Sequence, residues 1–303
     1  MTEGAAIPIA AHPRSSTVAT TVTASGILKP EDVRNLILLP LQTGGSVALN
    51  PAVSTLVTTD AQVSRFPRVT DAPIVGWISE AAPLPVGDLE VDEVIVVPSK
   101  VGSIVPITSE LEEDAEYDPL ELTGTQLVDQ AGQALDDAFL GDLPSPAPLG
   151  LASLVKASGS GVQAASAGGS WKNLDVFAQA GSLIEGVGGR MTAVLANPAD
   201  VLAISTLKAA TGSNQALLSP GGDPAQPSRR QVEGVPLLSH RSVPAGTAWA
   251  VDSSRIFTVI RRSVRLELDR SVYRSTDRTA VVLTMRAGFG FTDDRAVVKI
   301  SKA

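Results

Sequence analysis

The 303-residue sequence predicts an α+β protein with mostly antiparallel sheets. Three observations carry this expectation. Helix signals crowd into the chain up to about residue 208, and a series of short strand-like runs then follows to the end, the order expected of segregated helices and strands. Residues from about Arg68 to Pro106 read as one long hairpin. From Pro119 a single apolar stripe continues long enough for a helix of about 22 residues.

The hairpin is centred on VGWISEAAPLPVGDLEVDEVIVV, residues 75–97. Leu89, Val91, Glu93 and Ile95 alternate with Glu90, Asp92, Val94 and Val96, a period of two that marks a strand. The middle, Glu80 to Asp88, holds Pro83, Pro85 and Gly87, which remove ladder donors and free the backbone, so it reads as the tip. Legs of about 14 extended residues would reach roughly 45 Å. A globule of about 100 residues has a radius of gyration of only about 13 Å, so the hairpin must wrap its own domain or project beyond it. An isolated two-stranded hairpin is marginal in water and needs a surface to lie on.

Upstream, residues 1–28 are a Ser/Thr/Ala-rich arm, and Lys29–Leu39 starts with Pro30 and two acids before an apolar run, a helix signal stopped by Pro40. Strand candidates follow around Val53–Thr59 and Val63–Phe66. Downstream, Ser109-Glu110-Leu111-Glu112 matches a capping box, with Ser109 as the cap. Asp118-Pro119 repeats a helix start with Pro at the first position. Leu120, Leu127, Ala131, Leu135 and Phe139 then share one helical face up to Gly141, a length of roughly 33 Å. Such a helix is long for a small domain and reads as a spine. Asp142–Gly150 is a Pro-rich break, and residues 156–170 offer little to pack and read as a loop. Trp171–Glu185 has helical spacing, and MTAVLANPADVLAISTLK (191–208) reads as a buried strand followed by a helix capped by Asn197. The closing strands are VEGVPLLSH, TAWAVDS, IFTVIRR, VRLELDR, TAVVLTMRAGFG and RAVVKI.

Composition narrows the function classes. Hydrophobic residues make up 44% and charged residues 18%, enough apolar content for a core. Aromatics are only 4%, so stability from broad association fits better than a dense aromatic centre. No Cys is present, which removes disulfides and thiolate metal sites. No apolar run approaches the roughly 18 residues of a membrane span, and the first residues lack the basic start and apolar core of a secretory signal. The net charge of −8 is unevenly divided. Residues 1–150 hold 6 Lys+Arg against 21 Asp+Glu, and residues 151–303 hold 18 against 11. Two solvated faces would account for this, as would head-to-tail complementarity between copies. Overall acidity argues against a sequence-reading DNA binder.

Candidate chemistry is sparse. His12 and His240 have no partner at metal-ligand spacing, so neither metal nor cofactor is expected. Ser239-His240 with nearby Asp252 invites a Ser/His/Asp reading, and a hydrolase using His240 is the alternative from a different class, but no nucleophile elbow surrounds the serine. Gly186-Val-Gly188-Gly189 follows a helix, whereas a phosphate cradle opens one. The acids Glu110–Asp118 suit helix N-termini, where the macrodipole favours negative charge. Arg261, Arg262, Arg265, Arg270, Arg274 and Arg278 read as lying on strands rich in Val and Leu with only Tyr273 as a stacking residue, so cross-strand or intersubunit pairing with acids accounts for them at least as well as a nucleic-acid face.

The order of arm, long hairpin, spine helix, mixed domain and returning strands resembles the major capsid proteins of tailed bacteriophages, the Hong Kong 97 fold. APIVGWISEAAPLPVGDLEVDEVIVVPSKVGSIVPITSELEED resembles that family's extended loop, with Trp77-x-x-Glu80, a polar tip and strands leading to Ile107-Thr-Ser109-Glu-Leu111. LDDAFLGD with the following PLGL resembles the end of its spine helix. VLANPADVLAISTLKAATG resembles its Asn-Pro segment, with Ala209 where the family pattern has an acid. VEGVPLLSHRSVPAGTAWAVDSS and AGFGFTDDRAVVKIS resemble its Gly-x-Pro strand and C-terminal strand, so that the likeness covers about residues 30–303.

The resemblance implies an N-terminal arm over 1–66 and an extended loop over 67–104. It also implies a peripheral domain over 105–172 and 255–303, with the spine helix at about 119–140, and an axial domain over 173–254. It further implies self-assembly through hexamers and pentamers into an icosahedral shell around double-stranded DNA, in a virion assembled in the bacterial cytoplasm. The implied partners are further copies, a portal protein, a separate scaffold or decoration protein, and DNA by non-specific contact. An encapsulin-like compartment of the same fold is the alternative, and the polar arm favours the phage capsid. Lys100 sits at the hairpin's base, so the covalent crosslink of some members is not carried over. The expected intersubunit contacts set Trp77, Glu80, Asp88, Glu90, Asp92 and Glu93 of one copy against Arg261, Arg262, Arg265, Arg270 and Arg274 of its neighbour.

Overall fold

The computed structural model describes residues 46–71, 75–80, 84, 90–157, 159–208, 215–218 and 230–302, with the side chains of 71 and 262–264 outside that description. The arm, the helix expected at Lys29–Leu39 and most of the hairpin tip lie outside the described residues.

The spine helix α2 (Pro119–Leu140) follows a short α1 (Ser109–Asp114). Its start is fixed by Asp118, whose Oδ1 accepts from the N–H groups of Leu120 and Glu121, and by Pro119, which has no N–H to satisfy. It closes at Gly141, whose N–H reaches Asp137 O. The α1 cap is Thr108 rather than Ser109: Thr108 Oγ1 accepts from Leu111 N–H at 3.4 Å. Ser109 is drawn away because its hydroxyl donates to the Asp277 carbonyl at 3.0 Å and to the Asp277 carboxylate.

Strands β1 (Thr55–Thr59), β10 (Ile256–Asp269), β11 (Arg278–Phe291) and β4 (Ser99–Thr108) form a four-stranded sheet in the order β1-β10-β11-β4. Only β1 runs parallel to its neighbour in this sheet. The runs IFTVIRR and VRLELDR, expected as separate strands, are one strand, β10, with a register shift between Arg261 and Arg265. Extra residues in a bulge bend a strand without ending it.

A six-stranded sheet has the order β5 (Gln163–Ser166), β12 (Val297–Ser301), β9 (Thr247–Val251), β6 (Ala193–Ala196), β8 (Val235–Ser239), β7 (Gln231–Val232). It draws β5 and β12 in beside β9 and β6, across the boundaries placed at 172 and 255. Strands this short carry no sequence mark of which partner they join. Strand β5 lies in the stretch expected to be a loop, as does part of the small helix α3 (Leu151–Lys156); β5 is held by backbone pairing with β12 rather than by its own apolar residues.

Two cores meet at this sheet. In β6, Ala193 and Leu195 join the core beneath the spine helix, with Leu127, Leu135, Phe139, Trp249, Leu283 and Met285. The alternate residues Val194 and Ala196 join a second core with Phe177, Ala180 and Ile184 of helix α4 (Asp175–Gly186) and Val201 and Ile204 of helix α5 (Pro198–Ser205). All four residues of β6 are buried, as expected of a strand covered on both faces.

Candidate intersubunit surface

The hairpin consists of β2 (Ser64–Asp71) and β3 (Glu90–Val96), antiparallel, with Phe66 opposite Val94 and Val69 opposite Val91. Its strands are eight and seven residues long, shorter than the legs of about 14 expected, because Ser99–Thr108 belongs to the four-stranded sheet. One face of the hairpin lies on that sheet. The Phe66 ring stacks on Phe257 at 4.5 Å. Val96, 3% exposed, sits over Gly288 and Gly290, where an added Cβ would come within 2.9 and 2.7 Å of its methyl groups. Two glycines at i and i+2 clear a groove on one side of β11, which is what lets another strand approach.

Arg68 reaches Asp294 Oδ1 at 3.3 Å, and Asp294 Oδ2 accepts from Gly161 N–H at 2.7 Å, so the hairpin base is also tied to the turn before β12. In the same turn Asp293 holds the Arg295 side chain at 2.9 and 3.0 Å. Burial alone lifts the Asp293 carboxyl, but the hydrogen bonds from the Arg295 side chain and N–H outweigh it and leave the group below its usual range.

The opposite face of the hairpin is bare. Val69, Val91 and Ile95 are 54, 54 and 56% exposed, with Pro67 between them and the Arg65–Glu93 ion pair, at 2.8 Å, on the same side. Beyond β2, Val75 and Trp77 stand in solvent, Trp77 at 107% exposure, and Glu80 is exposed in a turn. Large apolar side chains in such a cluster are unusual on a solitary surface.

The residues expected to meet across copies are placed as follows. Glu90 and Asp92 are exposed on the outer part of β3, and Asp92 accepts from Glu93 N–H. Asp88 and the Arg262 side chain lie outside the described residues. Arg261 donates to Asp60 O at 3.2 Å, Arg265 lies 3.8 Å from Glu267, and Arg270 pairs with Glu112 at 3.2 Å. Arg274 is exposed in a short 3₁₀ turn. Among the described residues no ion pair joins the acids Glu80, Glu90, Asp92 or Glu93 to these arginines within one chain.

The register shows residues that sequence reading left out. Facing away from the spine helix, Lys100, Arg286 and Arg261 stand directly opposite one another across β4, β11 and β10. The period-two pattern of TAVVLTMRAGFG marks Arg286 as outward, since Val281, Leu283 and Met285 are buried, but the alignment with Lys100 is visible only once strands are paired. A second such group is built on Asp136, wholly buried in α2. It accepts from Ser46 Oγ at 2.7 Å, Val47 N–H at 3.0 Å and Ala48 N–H at 2.8 Å, and its Oδ2 lies 3.3 Å from His240 Nε2. His240 Nδ1 accepts from Ser242 N–H at 3.3 Å. The Ser239–His240–Asp252 grouping is therefore not assembled, for Asp252 is engaged by Arg190 N–H and Ser254 while His240 faces Asp136. His240 serves as a strut between the spine helix and the loop after β8.

A protein of two packed sheets, a spine helix and a hairpin with one bare face has the architecture of a shell subunit. The family model described as the phage capsid family matches residues 25–302, and the chain belongs to that family. Among solved structures, the fold is similar to the capsid of a native GTA particle (TM-score 0.66, 16% identity, covering 97% of this chain and 95% of that one). It is similar also to a chain from Mycobacterium phage Adephagia (TM-score 0.69, 17% identity, 91% and 98% covered). A chain from Microbacterium phage Oxtober96 gives 0.68 at 18% identity, with 93% and 96% covered. Among curated proteins, none matches the sequence. The fold is the α+β capsid fold expected from the sequence, and the chain is a structural protein of a phage capsid shell.

Proposed function

We propose that many copies of this chain associate through hexamers and pentamers into a closed icosahedral head around double-stranded DNA, each hairpin lying on an adjacent copy. The observation that carries this reading is the hairpin's two unlike faces. One is anchored by Phe66, Val96 and Arg68, and the other leaves Val69, Val91 and Ile95 uncovered, with Trp77 projecting beyond. Closed symmetry makes one modest contact repeat many times and limits growth. In this reading the spine helix with the four-stranded sheet forms the peripheral unit, and the six-stranded sheet forms the unit at the five- and sixfold axes. The net charge of −8 keeps the shell from gripping packaged phosphates tightly. A portal protein, and a scaffold or decoration protein, belong to the same proposal.

Expression of the chain alone, followed by negative-stain microscopy, tests it. Closed particles or capsomer rings are the expected result, and Trp77→Ala should lower their yield while leaving the melting temperature of the unassembled subunit unchanged. Monomers alone, with a hairpin that resists protease, would overturn the reading. Particles that package a protein cargo and exclude DNA would favour a compartment shell instead.

A further inference from the structure

Among the described residues, the outer side of the four-stranded sheet is covered at one end only. The hairpin base lies over Phe257, Gly288 and Gly290, and the next cross-strand row along the same side is Arg261–Arg286–Lys100. Lys100 and Arg286 are exposed, and among the described residues no carboxylate lies within ion-pair distance of either. Like charges directly opposite on neighbouring strands destabilise a sheet. The described residues of one chain leave this repulsion unanswered. Beyond the row the same side continues with Thr284 and Gly102, then with Val282 and the half-exposed Ile104.

We infer that this row is a docking site for the β3 acids Glu90 and Asp92 of a second copy of the chain; the inference rests on the shell reading above. The charges are complementary, and neither acid has a cation partner among the described residues of its own chain. The spacings agree. Neighbouring strands are about 4.8 Å apart, so the three cations span roughly 10 Å, and acids at i and i+2 on a crossing strand are about 6.8 Å apart. Long Arg and Lys side chains cover the difference. Glu90 and Asp92 share the face of β3 that carries Val94 and Val96, so the neighbour's hairpin would meet this row with the outer part of that face, beside the chain's own hairpin, while its Val69–Val91–Ile95 face stays turned away. Arg270, already paired with Glu112 at the far end of β10, is not part of this site.

A charge-swap cycle tests the pairing. Lys100→Glu with Arg286→Glu, and separately Glu90→Lys with Asp92→Lys, should each cut the yield of assembled particles by at least about tenfold, since facing like charges oppose association. The fourfold variant carrying both swaps should recover assembly. Lys100→Gln with Arg286→Gln is the milder control: it should melt no lower than the wild type as an unassembled subunit and still assemble poorly. If wild-type protein forms no particles, the shell reading itself fails. If it does, and the Lys100/Arg286 reversal assembles normally, the docking inference is wrong, and a loss confined to DNA retention would assign the row to phosphates instead. Two reversals that each block assembly without rescuing one another would likewise overturn it.

Discussion

Asp136 offers the sharpest test of what holds the subunit together. Its carboxylate accepts from a hydroxyl and two backbone N–H groups of residues 46–48 and lies beside His240 Nε2, with Ser46, Ala48 and Asp136 itself buried and Val47 and His240 partly exposed. Asp136→Ala would leave those donors without an acceptor. A buried donor left unmade costs about 1–3 kcal/mol, so removing the acceptor of three donors costs about 3 kcal/mol or more. Against a total stability of about 5–15 kcal/mol, this is about a fifth or more for a typical domain. Asp136→Asn keeps one accepting oxygen but turns an NH₂ toward donors, and about 2 kcal/mol is expected. Urea unfolding of the unassembled subunit reads the change: with a slope near about 3 kcal/mol/M, Ala at this position should lower the midpoint by roughly 1 M. Hydrogen exchange should show lost protection at Val47 and Ala48. A midpoint within about 0.2 M of the wild type, with those amides still protected, would refute the reasoning.

Three further perturbations follow from the packing. Gly290→Ala would place a Cβ 2.7 Å from the Val96 methyl; the expected cost is about 1–3 kcal/mol, with faster proteolysis between β2 and β3, and an unchanged digestion pattern would count against the groove. Gly150→Ala meets backbone only, pressing directly on Ala138 O and lying 2.7 Å from Phe139 O; soluble yield should collapse, since neither oxygen can move without opening the end of the spine helix. The depressed Asp293 carboxyl contributes stability that is present above its unfolded value of about 3.9 and is lost as pH falls through the lower folded value. The melting temperature of Asp293→Asn should therefore lie below the wild type at neutral pH and converge with it below about pH 4, and a gap that stayed constant would disprove the linkage.

The spine helix was legible because every signal for it is local: Asp118 and Pro119 at the start, a stripe through Leu127, Leu135 and Phe139, and Gly141 at the end. The hairpin was legible as alternation between two prolines and an acidic strand, though its length was not, because Ser99–Thr108 looks the same whether it is a leg or a sheet strand. Pairing between distant strands left no such mark. Strand β5 is an Ala/Ser segment that takes its form from β12, more than a hundred residues later. The Lys100–Arg286–Arg261 row and the donors around Asp136 exist only through contacts across the chain, so neither could be read from neighbours in sequence. The glycines at 288 and 290 were readable in principle, as two side-chain-free positions on one side of a strand.

The position of β12 between β5 and β9 in the six-stranded sheet has a consequence for timing. It pairs β5 on one side and β9 on the other, and among the described strands it is the last to be synthesised. A nascent chain still inside the ribosome up to residue 296 has this sheet in two unconnected pieces, and closing it waits on contacts of long sequence separation, which form slowly. Subunits with a finished second core thus exist only after translation has passed Ser301. The hairpin and the four-stranded sheet are complete by Phe291, so what waits for the last strand is the closure of the six-stranded sheet and its second core.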